Sequence, residues 1–363
     1  MMKITIDCRM IHASGIGVYL KGCLPYFIET QNHFLLIGER RRLAEFSGKA
    51  NVSVLHCDTK PFSITETFFP PARLVKAVNG TDLFYSPYFN LPARINIPVY
   101  TTIHDIIFAD MPELCSPAGL AARTWFYRRA VRLSKKLFTV SLFSKGRIEY
   151  HLGTAKPVIV THSAVQEQYL RQAGPHPSCT DQTEKTILFV GNIKKHKGLC
   201  CLLEAFFQAR KSGLDYRLII AGEKNNFRTS DGGMLEKLID ESGERQNVLF
   251  TGFVPADELQ NLVKRAALLV QPSLYEGFGL PPLEALLSGT PALVSDIAVF
   301  RELYSSYPVT YFRAGDSADL KEKLVGLLSG GIPPRVDLPE SLRLKYTFEK
   351  TAKTILEEWQ CAP

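Results

Sequence analysis

The sequence predicts a doubly wound α/β protein in two Rossmann-like domains. Three observations predict it. Short apolar, β-branched segments alternate with amphipathic helical stretches along nearly the whole chain. The 363 residues exceed what one hydrophobic core usually supports. The rhythm lapses once, near the middle.

In the first half the strand candidates are "KITID", "HFLLIG", "VSVLH", "LFYSP", "PVYTTIHD", "LFTVS" and "PVIVT". In the second half they are "TILFVG", "RLIIAG", "VLFTG", "LLVQPS", "PALVS" and "VTYF". The lapse spans 166–185, where "RQAGPHPSCTDQTEK" is polar and rich in Pro and Gly, as in a linker. The boundaries are therefore a first domain at 1–165, a linker at 166–185 and a second domain at 186–345. A closing amphipathic helix at 346–363, "YTFEKTAKTILEEW" with its tail, packs on its own domain or crosses back to the first; periodicity leaves both open. Two such units with a hinge are expected to form a cleft, and such clefts hold ligands at the carboxyl ends of strands.

Hydrophobic content of 45% and charged content of 22% are those of an ordinary globular protein. The eight cysteines include no C-x-x-C pair, which reads as reduced, mostly buried thiols in a cytosolic protein. "MMKITIDCRM" enters a strand directly, unlike a signal peptide, and no apolar run approaches the ~20 residues of a membrane span. The net charge of +7 is unevenly placed: residues 1–163 carry 20 Lys+Arg against 11 Asp+Glu, so the remainder carries 23 against 25. A basic first half points to an anionic partner there.

In "LLVQPSLYEGFGLPPLEALLSG" a buried strand ends in a glycine-rich loop, and Pro281-Pro282 starts a helix where a missing N–H costs nothing. Gly277 and Gly279 allow positive φ or close approach of a ligand. Glu276 lies in the loop and Glu284 in the first helical turn. Two carboxylates on one cavity accept hydrogen bonds from diols, as a sugar and a ribose present. The bland alternative is a solvated Glu276 and a Glu284 that complements the helix dipole. In "ILFVGNIKKHKGLCCLLEAF", Lys194, Lys195 and Lys197 crowd a loop before a helix, suiting a phosphate or an ordinary solvated loop. In "TTIHDIIFADMPELCSP", His104 follows a strand end, where a neutral imidazole can exchange hydrogen bonds with a sugar hydroxyl or only cap a loop. Asp105 either orients it or caps the next turn. In "IDCRMIHASGIGVYLKG", Gly15-x-Gly17 opens a helix, but Leu20 stands where a dinucleotide fingerprint needs its third glycine. Arg9 is a further candidate contact. Ser141 and Ser144 read as helix caps. "ARTWFYRRAVRLSKKLF" and "ETFFPPARLVKAVNG" interleave cations and aromatics, which suits either an anionic bilayer surface or a half-buried helix with a solvated basic face.

"YEGFGLPPLEALLSGTP" resembles the E-x7-E motif of retaining GT-B glycosyltransferases, glycosyltransferase family 4, and its flank "SGTPALVSDIAVFREL" is similar as well. The resemblance implies a GT-B fold, with the first glutamate and the following backbone amides (Glu276, Gly277, Phe278, Gly279, Leu280) on the donor sugar. It places Glu284 on the ribose, Lys197 on the diphosphate, and the backbone near Gly252, Phe253 and Val254 on the base. Asn192 stands where many members have arginine, which shifts phosphate binding toward Lys197 with Lys194 or Lys195. The family's "HD" matches His104-Asp105, implying that His104 contacts the donor sugar, and Gly15 and Gly17 would bring N–H groups near the donor phosphate. No Asp-x-Asp occurs, so lysines and helix N-termini are expected to meet the diphosphate charge with no metal and no cofactor.

The reading is a retaining, metal-independent hexosyltransferase using a nucleotide-sugar, with UDP-glucose ahead of GDP-mannose, and a saccharide or lipid-linked acceptor in polysaccharide biosynthesis. Its catalytic candidates are His104, Glu276 and Lys197. It is expected in the cytoplasm, with peripheral contact at the inner face of the plasma membrane through the basic first domain, and without nucleic acid. A nucleotide-sugar epimerase or hydrolase on the same fold, a non-catalytic sugar-nucleotide-binding protein and a dehydrogenase using Gly15-x-Gly17 with Glu39 remain alternatives.

Overall fold

The computed structural model describes residues 1–171, 183–222 and 230–360. The chain divides into two compact units, one of Met1–Gln166 with Tyr346–Pro363 and one of Glu167–Lys345. The first contains β1 (Lys3–Asp7), β2 (His33–Gly38), β3 (Val52–His56), β4 (Leu83–Ser86), β5 (Val99–Thr102), β6 (Lys136–Thr139) and β7 (Val158–Val160). The second contains β8 (Glu184–Val190), β9 (Arg217–Ala221), β10 (Val248–Gly252), β11 (Ala266–Gln271), β12 (Ala292–Ser295) and β13 (Val309–Phe312). Each of the thirteen quoted segments overlaps one of these strands.

All ladder pairings are parallel, in the orders β3-β2-β1-β4-β5-β6-β7 and β10-β9-β8-β11-β12-β13. Parallel sheets are covered on both faces, which explains why β4, β5, β11 and β12 are buried along their whole length. Helices between strands supply the cover. In the second unit the helix Leu199–Lys211 contributes Leu202, Leu203, Phe206 and Phe207 to the core. Each strand order reverses direction once, between β1 and β4 and between β8 and β11. Beyond the carboxyl ends of such a strand pair the connections diverge to opposite faces and leave a crevice.

Packing decides where two segments belong. The helix Phe348–Gln360 belongs to the first unit, packed on the helix Ser14–Ile28. Its Trp359 is fully buried against Phe27 and Tyr85, with ring centroids 4.8 and 5.2 Å away. In the stretch read as linker, Glu167–Arg171 is a helix that packs on the helix Pro281–Leu287 and buries Tyr169, so the second unit starts earlier than the composition implies. A buried tyrosine outweighs the polar residues around it. Positions 172–182 of that stretch lie outside the described residues. Among the described cysteines, Cys8, Cys23 and Cys201 are buried, Cys57, Cys115 and Cys200 are half-buried, and all six are free thiols; Cys179 and Cys361 lie outside.

Candidate active site

The strand-order reversal of the second sheet is where its conspicuous motifs meet. After β8 the chain makes a tight turn at Lys195–Lys197 and enters Leu199–Lys211 through Gly198, at φ +68°. A Cβ at Gly198 would lie 1.9 Å from the carbonyl oxygen of Pro272, just past β11. The Leu274 N–H donates to the His196 carbonyl at 2.7 Å. These contacts lock the loop after β8 onto the loop after β11 and bring Lys197 to Glu276.

Lys197 Nζ donates to Glu276 Oε1 at 2.6 Å, Ser273 Oγ to the same oxygen at 2.7 Å, and Gln271 Nε2 to it at 3.4 Å. Oε2 takes none of the three. Burial pushes the Glu276 carboxyl up, but the Lys197 charge and the bonds from Lys197 and Ser273 prevail and hold it below its ordinary range. The result is a rigid, ionised carboxylate with one oxygen committed and the other presented. His196, not singled out in the sequence, backs the pair; burial first and Lys197 second bring its pKa down to about 4, so it is neutral at pH 7. Its place in "KKHKG" gave no signal, because its role comes through a backbone carbonyl.

The turn after Glu276 requires glycine at 279. Its φ is +86°, and a Cβ would sit 2.4 Å from Phe300 Cε1. Tyr304 Oη donates to the Gly279 carbonyl and pins the turn. Gly277 and Phe278 are buried, Leu280 is half-buried, and the helix runs over Pro281–Leu287. This helix has few N-terminal donors left for the diphosphate that helix N-termini are expected to meet. Pro281 and Pro282 have no N–H, and Glu284 N already bonds the Leu280 carbonyl. Glu284 is half-buried, and burial alone raises its carboxyl to about 7. Its charge acts on Tyr169 and Tyr304, whose phenols rise for the same first reason, burial.

Asn192 is half-buried in the loop after β8, beside the same reversal. Lys194 and Lys195 are exposed, and Lys197 alone of the three lysines reaches Glu276. Phe253 follows β10 and is 75% exposed, an aromatic face available for stacking.

His104, Gly15 and Gly17 belong to the first unit. His104 lies past the end of β5, its ring edge-on to Tyr19 at 4.9 Å. Its Nε2 is 3.0 Å from the Pro87 carbonyl oxygen, which can only accept. Nε2 therefore carries the hydrogen, and in the neutral ring Nδ1 is the acceptor. Burial lowers its pKa to about 4, against a smaller opposing effect of the Pro87 bond, so the ring is neutral. Asp105 caps the next turn, accepting from Ile107 N at 3.1 Å; the Pro87 carbonyl does the orienting. Ser141 caps the helix Leu142–Leu152 by accepting from Ser144 N.

Gly15 and Gly17 lie in the first turn of Ser14–Ile28. Gly17 donates to the Ala13 carbonyl at 2.8 Å, so its N–H is not available to a phosphate. A Cβ on it would lie 2.5 Å from the Ile11 carbonyl oxygen, while Gly15 has open space. Gly17 answers to the fold, and Gly15 alone of the two has room beside it. Arg9 is likewise excluded as a free contact: it pairs with Asp7 and Glu66 and is almost fully buried. Among the described residues no three His, Cys, Asp or Glu side chains are grouped as metal ligands would be.

Residues 176–342 match the family model "Glycosyl transferases group 1". The chain is 27% identical over 230 residues to O-antigen chain mannosyltransferase B of Escherichia coli, covering 61% of this chain and 58% of that protein. It is 31% identical over 270 residues to alpha-D-kanosaminyltransferase of Streptomyces kanamyceticus, covering 68% and 66%. It thus spans a little over half the length of the former, and 54% of O-antigen chain mannosyltransferase RfbU of Salmonella typhimurium. The fold matches Anabaena HepE, solved in complex with UDP and glucose, at TM-score 0.75 and 17% identity, covering 99% of this chain and 100% of that one. The second unit thus carries the stretch that is similar to the group 1 glycosyl transferases, on a chain with the GT-B fold of its solved neighbours.

Proposed function

We propose that the protein is a retaining glycosyltransferase that moves a hexose from a nucleotide-sugar to a saccharide or lipid-linked saccharide acceptor in polysaccharide synthesis, without a metal ion. The observation that carries this is the Lys197–Glu276 pair at the reversal of the second sheet, with Glu276 Oε2 presented and Glu284 eight positions on. Glu276 Oε2 accepts bonds from donor-sugar hydroxyls, with the backbone of Gly277–Leu280 beside it. Glu284, which burial leaves short of partners, accepts from the ribose diol. Phe253 stacks on the base, and Asn192 and Lys197 serve the diphosphate. His104 Nδ1 accepts a hydrogen bond from the sugar.

The anomeric C–O bond breaks and its electron pair passes to the diphosphate, where Lys197 stabilises the charge. The acceptor oxygen attacks from the same face, and its proton passes to the departing phosphate. UDP-glucose is the donor read from the sequence. GDP-mannose is the second reading, favoured by the O-antigen mannosyltransferases among the relatives.

Melting curves with UDP, GDP, dTDP and ADP identify the base, since a ligand at 100 times its Kd stabilises by about 2.7 kcal/mol. A shift with GDP alone selects the second donor. Glu276→Ala is expected to lower transfer about 100-fold or more while the nucleotide still shifts the melting curve; transfer within twofold of wild type would sink the assignment. EDTA is expected to leave the rate unchanged, and inhibition reversed by Mg²⁺ would contradict the metal-free route.

A further inference from the structure

The helix Pro281–Leu287 begins with no cap of its own. Its N-cap residue, Leu280, has no side-chain oxygen, and Pro281 and Pro282 carry no N–H. Leu283 therefore bears the first N–H of the helix, on a residue that is 1% exposed. A buried N–H left without an acceptor is costly. This one donates to Oη of Tyr304, at the end of the helix Ala298–Tyr304. The same hydroxyl donates its hydrogen to the Gly279 carbonyl. One oxygen thus closes both sides of the Pro-Pro step, as acceptor on one and donor on the other.

Each of these bonds ends next to a glutamate. A Cβ at Gly279 would lie 3.5 Å from Glu276 Cγ, so the Glu276 side chain rests against the residue whose carbonyl Tyr304 holds. Leu283 immediately precedes Glu284. The Tyr304 phenol, raised first by burial, is raised further by Tyr307, Glu284 and Glu276, so its oxygen lies within electrostatic reach of both carboxylates. The ring is fully buried, 5.6 Å from Phe300 and 5.9 Å from Tyr307. Phe300, one turn earlier on the same helix face, fills the space under Gly279, where a Cβ would meet it at 2.4 Å. Tyr311, in β13, donates to the Phe300 carbonyl at 3.2 Å and ties this helix to the sheet.

We propose that Tyr304 is a positioning residue that sets the separation of the Glu276 and Glu284 carboxylates, so that one nucleotide-sugar engages both. It touches no substrate itself. This role rests on the donor reading above, in which Glu276 takes the sugar and Glu284 the ribose. Without the hydroxyl, Lys197 and Ser273 still hold Glu276, and each carboxylate still binds its own part of the donor. What is lost is the fixed separation. Preorganised spacing counts only for a ligand that spans both groups. A free nucleotide uses Glu284 alone, so the loss falls on the sugar-bearing donor and on transfer.

The test is calorimetric titration of the full chain with UDP and UDP-glucose, or with GDP and GDP-mannose, whichever pair wild type binds. Tyr304→Phe, which keeps the ring, is expected to bind the nucleotide-sugar about tenfold more weakly and the free nucleotide within about threefold of wild type. On a Glu276→Ala background the same substitution is expected to weaken both ligands equally, because one end of the span is gone. Hydrogen exchange at the Leu283 amide is expected to quicken in Tyr304→Phe. Tyr307→Phe removes a neighbouring hydroxyl that donates to the Leu342 carbonyl at 2.9 Å. It is expected to lower the melting temperature without separating the two ligands. Should Tyr304→Phe not fold, Phe300→Leu, which loosens the support under Gly279 and keeps the hydroxyl, is expected to show the same unequal loss. Equal losses of the two ligands, no loss of either, an unchanged Leu283 exchange rate or the unequal pattern in Tyr307→Phe each overturns the proposal and leaves donor binding in place. Wild type that binds neither pair overturns the donor reading, and this role with it.

Discussion

Glu276 and Glu284 lie on one short segment, yet their surroundings drive them in opposite directions. Glu276 has a cation at 2.6 Å and stays ionised. Glu284 has burial without a cation, which lifts its carboxyl from 4.5 to about 7. Between those values the folded state holds a proton that the unfolded chain releases, so stability falls as pH rises through that window. Glu284→Gln stays neutral, so its melting temperature is expected to exceed wild type at pH 8, with the advantage gone near pH 4. Hydrogen bonds from a ribose diol favour the ionised form. Nucleotide affinity in wild type is therefore expected to rise from pH 5.5 to pH 8 by roughly tenfold per unit of pKa displaced, more steeply than in Glu284→Gln. Calorimetric titration of both proteins separates this from titration of the nucleotide itself. Parallel profiles would remove Glu284 from the ribose.

At the scale of elements, two glycines two positions apart answer to different demands. Gly17 allows the helix Ser14–Ile28 to start against the loop after β1, where an added Cβ meets a backbone oxygen that cannot move aside. Gly15 meets nothing within 4 Å. Gly17→Ala is expected to lower the melting temperature substantially. Gly15→Ala is expected to keep or raise stability, by up to about 1 kcal/mol, because alanine is the better helix former. Donor affinity then tests Gly15 without confusion from unfolding: a clear loss supports close approach of the donor to its N–H, and an unchanged affinity removes it from the site. Pro281-Pro282 makes a related point. It starts a helix firmly, but at the cost of two donors that a phosphate could use.

At the scale of the molecule, the last helix completes a core laid down at the other end of the chain. Phe348 fills the space left by Gly22, where a Cβ would lie 2.3 Å from its ring. Trp359 closes the core over Phe27 and Tyr85. Trp359→Ala is expected to destabilise the first unit by about 3–5 kcal/mol. Trp359→Phe is expected to cost less, since the buried indole Nε1 has no acceptor to lose. With two units a single transition is not assured. Scanning calorimetry with nucleotide assigns the effect: the ligand-sensitive transition should stay in place while the other falls, and a fall of the ligand-sensitive transition alone would contradict the packing.

The sequence by itself determined the strands, the doubly wound class and the segment around Glu276 and Glu284. Burial on both faces of a parallel sheet writes itself into consecutive residues, as in β4 and β11, and the spacing from Glu276 through Pro282 to Glu284 is a local property. The tertiary structure decided what each group has for company. Lys197 and Glu276 are 79 positions apart and meet only because β8 pairs with β11 and their loops interlock. Arg9 looked available in sequence, but two buried carboxylates, one 57 positions away, claim it. Charge and burial depend on distance through space, and a chain folded into sheets makes its decisive distances between residues far apart along it.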